Sequence, residues 1–136
     1  MAISNNIVRV GIVSTVDPAT MTATVIFPDK DNTLSGPLQI MTQGSGEDKY
    51  YWLPNVGDYV KCLMEQNNTT SLNSGSIIGT FFNDVNPVPS GAGEGKRILN
   101  FGDGTTIEYD KNSHTLSINC VGKIMINGSE IHLNDS

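Results

Sequence analysis

Apolar and polar residues alternate along this chain in short runs, and almost no stretch has the period of a helix. A period of two is typical of strands that bury one face. The runs end in Gly, Pro, Asn or Asp, which are turn-forming residues. Good helix formers are sparse, while glycine accounts for 14 of the 136 residues. The pattern therefore predicts an all-β protein.

Five of these runs fall in the first part of the chain and predict a small barrel. The predicted strands are residues 7–16, 22–27, 38–42, 59–64 and 76–82. Gly11 interrupts the first run, which predicts a bulge or bend there. The OB-fold is the commonest closed arrangement of five short strands. We therefore expect residues 1–83 to form an OB-fold-like five-stranded barrel.

Residues 84–96 are rich in Pro and Gly and show no periodicity, which predicts a linker. Alternation then resumes in residues 97–136. The predicted strands there are residues 97–101, 105–109, 115–120 and 123–126, with a last one around 131–133. Gly102, Gly104 and Gly128 are the turn glycines, and the 102–104 turn should need a positive φ.

The apolar positions of this second segment share one face of the predicted strands. They are Ile107, Tyr109, Leu116, Ile118, Cys120, Ile124, Ile126, Ile131 and Leu133. A single sheet of this size would leave an apolar face in water and two open edges. Three copies around a common axis would bury the face and pair the edges. We therefore expect residues 97–136 to form a short intertwined trimeric β-helix with these side chains in its core.

The net charge and the two cysteines limit which ligands and sites this chain is expected to have. The net charge of −6 disfavours binding to nucleic acid or to anionic membranes, since both need a basic surface. Cys62 and Cys120 fall in different segments and alternate with apolar neighbours, which predicts buried free thiols. No basic-then-apolar stretch resembles a signal peptide, so we expect synthesis and folding in a bacterial cytoplasm.

Two stretches resemble the baseplate assembly protein V family, the spike proteins of contractile phage tails, which are related to type VI secretion spikes. Residues 52–60 (WLPNVGDYV) and 75–82 (GSIIGTFF) are similar to the last two barrel strands of that family. Residues 100–110 (NFGDGTTIEYD) and 114–118 (HTLSI) are similar to the opening of its β-helix. The order of barrel, linker and D-G-T-x-I-E-Y-D is the specific part of the likeness.

The resemblance implies a non-enzymatic homotrimer at the tip of a phage tail or tail-like particle. It would dock on a baseplate hub protein, contact the target envelope transiently and pierce it mechanically. Tyr50, Tyr51 and Trp52 are the candidate hub contacts. Longer family members end in a His-x-His metal site on the three-fold axis, whereas residues 130–136 (EIHLNDS) contain one histidine. This departure implies a blunt end covered by a separate tip-cap protein.

His132 and Asn134 are the one candidate metal pair. They project to the same side of a strand, and three-fold symmetry would gather nitrogen and oxygen ligands suited to a first-row metal. Ile131 and Leu133 should point inward on that strand, however, which places His132 outward. We therefore expect no metal ion or other cofactor.

Two other functions compete with the spike. The alternative is an OB-fold ligand-binding module for a sugar or a nucleic acid, with the second segment as a trimerisation stalk. Tyr50, Tyr51 and Trp52 would then form a stacking platform. A wall hydrolase would need poised carboxylates in a cleft, whereas Glu108 and Asp110 flank Tyr109 on the face opposite the apolar positions. We therefore expect no enzymatic activity.

Overall fold

A computed structural model of the protein describes residues 7–65 and 74–134. Its strands are β1 (Val8–Asp17), β2 (Thr22–Phe27), β3 (Thr33–Leu34), β4 (Leu38–Ile40), β5 (Tyr59–Met64), β6 (Gly75–Thr80), β7 (Lys96–Asn100), β8 (Thr106–Asp110) and β9 (Thr115–Asn119). A 3₁₀ helix spans Pro28–Lys30, and no α-helix occurs in the described ranges. The predicted all-β class is confirmed.

The chain divides into two compact units, Met1–Pro87 and Val88–Ser136. The division falls inside the predicted linker, and the last linker residue, Lys96, already belongs to β7. The predicted domain limits at residues 1 and 136 lie outside the described residues. Across 7–65 and 74–134, no helix is long and apolar enough to cross a membrane.

The first unit is a closed barrel of five strands. Its strands follow the order β1-β5-β6-β4-β2, and β2 pairs back with β1 to complete the circle. All neighbours are antiparallel except β4 and β6, which are parallel. The two-residue strand β3 is added at the side of β2. The prediction of a closed five-stranded barrel is confirmed.

Alternating positions of the strands fill the barrel interior. In β5, for example, Val60, Cys62 and Met64 are buried, whereas Lys61 and Leu63 are exposed. The buried apolar residues of the described chain are Val13, Ala23, Val25, Phe27, Leu38, Ile40, Val60, Cys62, Met64 and Ile77. All of them belong to the first unit, so the barrel has a core of its own.

Gly11 occupies an interior position of β1 where another side chain does not fit. A Cβ atom there would lie 2.2 Å from Val25 Cγ1 and 2.9 Å from the Ile26 carbonyl oxygen. The predicted bulge at Gly11 is wrong, because Gly11 pairs in regular register with Val60 and the register between β1 and β2 shifts between Val13 and Thr15 instead; the other possibility, a bend, stays a prediction. Glycine is needed at position 11 for close packing between strands.

Arg9 is the buried charged residue of the barrel, with 8% of its surface exposed. Its Nη1 donates a hydrogen bond to Asp29 Oδ2 at 2.9 Å. A buried guanidinium needs such a partner, because an unpaired charge in the interior is strongly destabilising. The ion pair therefore connects the start of β1 to the 3₁₀ helix that follows β2.

The second unit is an antiparallel sheet in the order β7-β8-β9. The turn before β8 contains Gly104 at φ +100°, as predicted, whereas Gly102 and Gly128 have no positive φ. Asp103 accepts a hydrogen bond from the Thr105 backbone N–H at 2.9 Å. That bond, with a further one from the Thr105 side chain, holds the pKa of Asp103 below its usual range.

Residues 120–134 follow β9 without forming a strand. The predicted strands at 123–126 and around 131–133 are therefore absent from the single chain. A strand forms only where a neighbour supplies backbone hydrogen-bond partners. No strand of the described chain pairs with this segment.

Candidate functional site

The register of the second sheet gathers its large apolar side chains on one face. Directly opposite residues of an antiparallel pair point to the same side of the sheet. Leu99 pairs with Ile107, which pairs in turn with Ile118. The next row on the same side pairs Tyr109 with Arg97 and with Leu116. We call Leu99, Ile107, Tyr109, Leu116 and Ile118 the apolar face.

The opposite side of the sheet is largely polar. Glu108 pairs with Ser117 there, and Asp110 pairs with Thr115. The Lys96 ammonium lies 3.9 Å from Glu108 Oε2, a distance typical of a weak surface ion pair. The sheet is therefore amphipathic, with one side suited to water and one side suited to a partner.

No residue of the described second unit, 88–134, is buried. On the apolar face, Leu116 is 63% exposed and Ile118 is 54% exposed. Monomeric proteins rarely expose a contiguous apolar area of this kind, and such areas mark interaction sites. The apolar face is therefore a candidate assembly surface.

The C-terminal segment, residues 120–134, adds more exposed apolar side chains. They are Val121, Ile124, Met125, Ile126, Ile131 and Leu133, with exposures from 53% to 83%. Because no strand of the described chain pairs with this segment, its backbone groups also lack a ladder. A second chain could cover its apolar side chains and form hydrogen bonds with its backbone groups.

The two cysteines differ in environment. Cys62 is buried and free as predicted, and burial raises the pKa of its thiol to about 11. Cys120 is exposed in the single chain, and its predicted burial in the trimer core stays a prediction. Its Sγ atom lies 3.4 Å from the Gly122 nitrogen and 3.6 Å from the Lys123 carbonyl oxygen. The described part of the second unit contains no buried residue, so it offers this thiol no core.

The candidate metal pair does not form a site within one chain. His132 Nε2 lies 2.9 Å from Glu130 Oε2, and both side chains are largely exposed. Asn134 follows two residues later in the same exposed segment. The part of the chain that the structure describes contains no group of three or more His, Cys, Asp or Glu side chains that could hold a metal ion.

The predicted hub contacts lie together in an open groove of about 400 Å³ on the barrel. We call this the aromatic groove; it is lined by Met41, Thr42, Gln43, Tyr50, Tyr51, Trp52 and Ile78. Tyr50 and Tyr51 are 62% and 61% exposed, while Trp52 is partly buried against the core. The groove therefore combines an anchored indole with two accessible phenol rings.

Sequence reasoning identified only the aromatic residues of this groove. Met41, Gln43 and Ile78 were not predicted, because residue 78 is distant in sequence from residues 41–43. The parallel pairing of β4 with β6 places Ile40 opposite Ile77, and the Met41 N–H donates to the Ile77 carbonyl oxygen at 2.9 Å. Barrel closure thus brings the two halves of the groove together.

The chain matches no protein-family model, and no curated protein is significantly similar to it. The features from which a function can be inferred are therefore its own surfaces, namely the apolar face with the C-terminal segment and the aromatic groove.

Proposed function

We propose that the protein is a structural, non-enzymatic spike of a contractile phage tail or a tail-like injection particle. Three copies of the second unit assemble into a short intertwined β-helix, and the barrels dock on the baseplate hub. The spike then pierces the target envelope mechanically. The observation that supports this proposal is that four of the five side chains of the apolar face are exposed, in a unit whose described residues, 88–134, include no buried one.

Burial energetics support association through this face. Full burial of a Leu or Ile side chain contributes about 1.5–3 kcal/mol. The five side chains of the apolar face are about half exposed, so burying the remainder contributes about 5 kcal/mol per chain, which favours association. A two-copy sandwich would cover the face but leave the sheet edges open. Three copies would also pair the edges with the C-terminal segments, which favours a trimer.

The barrel supports the same proposal through its topology. Setting aside the short β3, the third and fifth strands are the parallel pair, and the first strand bonds both the second and the fourth. This is the connectivity of an OB-fold, the barrel expected from the family resemblance. In the proposed particle, Tyr50, Tyr51 and Trp52 contact the hub, and a separate protein caps the C-terminal end.

The native mass tests the assembly directly. We expect light scattering at micromolar concentration to give three times the mass of one chain. The exposed apolar face and the C-terminal segment are the physical reason, since both gain a partner only in the assembly. A monomeric or dimeric mass under these conditions would contradict the trimer.

Thiol accessibility provides a second expected result. Cys120 is exposed in the single chain, and alternation places it on the side of Ile118. In the trimer we expect its reaction with a disulfide reagent to be at least about tenfold slower than in a monomeric variant. Cys62 should react slowly in both, because it is buried and its thiol has a pKa of about 11. If Cys120 reacted with the reagent at the same rate in the trimer and in the monomeric variant, its thiol would lie outside the trimer core, contrary to the expectation.

Location in a particle tests the spike role itself. An epitope tag on the chain should label the distal tip of tails purified from the producing cells, as seen by electron microscopy. Label along the sheath, or tails without label, would argue against the spike. The ligand-binding alternative is favoured by the aromatic groove, but it assigns the apolar face and the C-terminal segment only to a stalk.

A further inference from the structure

We propose that the aromatic groove is a binding site for a neutral oligosaccharide. The groove lies within a single barrel and does not require the trimer, so this function can be tested apart from the spike role. In the assembled particle the hub would cover the same three aromatic residues, so the oligosaccharide would bind the free protein. The ring orientations in the groove are set by hydrogen bonds. The Tyr51 hydroxyl donates to the Pro18 carbonyl oxygen at 2.9 Å, and Trp52 Nε1 donates to the Met41 carbonyl oxygen at 3.0 Å. The polar tips of these two rings are therefore engaged, and the exposed Tyr51 ring remains available for contact.

Two of the lining residues, Met41 and Tyr50, have both of their backbone groups engaged, which disfavours an extended peptide along them. The Met41 N–H donates to Ile77, and the Met41 carbonyl accepts from Trp52. The Tyr50 N–H donates to the Gly44 carbonyl at 3.0 Å, and the Tyr50 carbonyl accepts from the Thr42 hydroxyl. A peptide that adds to a sheet as a strand needs unpaired backbone groups. Such groups are not offered by Met41 or Tyr50.

The charge of the groove disfavours anionic ligands. None of the described residues that line it is acidic or basic. Lys49 precedes Tyr50 in the chain, but its ammonium group donates to the carbonyl oxygens of Ser45 and Gly46. The chain as a whole carries a net charge of −6. Nucleic acids and phosphorylated ligands bind where Lys or Arg side chains face their phosphate groups, and the described residues that line this groove include neither.

The remaining polar groups suit a neutral, hydroxyl-rich ligand. Within the described residues, the Gln43 amide and the Tyr50 hydroxyl have no hydrogen-bond partner, and both side chains are exposed. Each can donate and accept. A pyranose ring presents a C–H face that packs on an aromatic ring, together with hydroxyls that exchange hydrogen bonds with neutral groups. The volume of about 400 Å³ lies in the range of small-ligand sites.

Binding in the groove can be followed by fluorescence, because Trp52 is the one tryptophan of the chain. The test is a fluorescence titration of the full-length protein with neutral tetrasaccharides of N-acetylglucosamine, α-1,4-glucose, β-1,4-glucose and mannose. We expect at least one of them to shift the Trp52 emission with saturation. The Tyr50→Ala variant should bind about tenfold more weakly, and Tyr50→Phe should lose less, because it keeps the ring.

The Phe82→Ala variant is the matched control, because Phe82 is an exposed aromatic residue of the barrel unit outside the groove. It should bind the oligosaccharide as the wild type does. Absence of saturable binding by all four tetrasaccharides would overturn the proposal. Tyr50-dependent binding of a single-stranded oligothymidine or an apolar peptide in their place would also overturn it. These outcomes are independent of the native mass, so the trimer and the oligosaccharide site can fail separately.

Discussion

Replacing Ile118 with lysine is expected to convert the proposed trimer into monomers while the barrel remains folded. Ile118 lies in β9 on the apolar face, directly opposite Ile107. In the trimer the substitution would place three unpaired ammonium groups in the core. Each costs about 3 kcal/mol or more when no partner is present. Association should therefore weaken by at least about a thousandfold, as measured by light scattering or sedimentation.

Ser117→Lys is the matched control for this experiment. Ser117 is the preceding residue of the same strand, but it points to the polar side, opposite Glu108. The same charge is thus introduced one position away on the other side of the sheet. We expect this variant to remain trimeric. A trimer in both variants would show that the apolar face is not the assembly surface, and a monomer in both would show no distinction between the two sides.

Replacing Gly11 with alanine is expected to destabilise the barrel by about 3 kcal/mol, because overpacking a filled interior forces side chains and backbone apart. The added methyl group would lie 2.2 Å from Val25 Cγ1 and 3.1 Å from Phe27 Cδ1, and both neighbours are completely buried. A flexible surface side chain could move away, but these two have no space into which to move. Denaturant unfolding followed by Trp52 fluorescence measures the change in the free energy of unfolding.

Gly79→Ala is the corresponding control within the same barrel. Gly79 lies in β6, has no positive φ, and a Cβ atom there would meet nothing within 4 Å. Its replacement should leave the free energy of unfolding unchanged or raise it by about 0.5 kcal/mol, because alanine reduces the entropy of the unfolded chain. A Gly11→Ala variant as stable as Gly79→Ala would contradict the close packing at position 11.

Local alternation was sufficient to locate most of the strands. β2 and β5 begin and end at the predicted residues, because the period of two is a property of neighbouring positions. The two-residue strand β3 was missed, since Thr33 and Leu34 follow a polar turn and are too few to show a period. The packing at Gly11 was missed as well, because its cause is contact with β2 rather than a feature of β1.

The aromatic groove, too, could be predicted only in part from the sequence. Tyr50, Tyr51 and Trp52 are conspicuous in the sequence, yet the groove they line also needs Gln43 and Ile78. These residues meet only because β4 and β6 pair in parallel when the barrel closes. Sequence reasoning could not assign a pairing between strands so far apart in the chain, and so it could not predict the volume or the neutral lining of the groove.

The alternation of apolar and polar residues along the chain by itself determined the β class and which side of each strand is apolar. It did not determine whether that side is covered. Cys62 and Cys120 show the difference, since both alternate with apolar neighbours. Cys62 is buried because the barrel closes around it, whereas Cys120 follows the edge strand of an open sheet and is exposed. A period of two is a local property of the backbone, but burial depends on which other strands, from the same chain or from a second one, pack against that face.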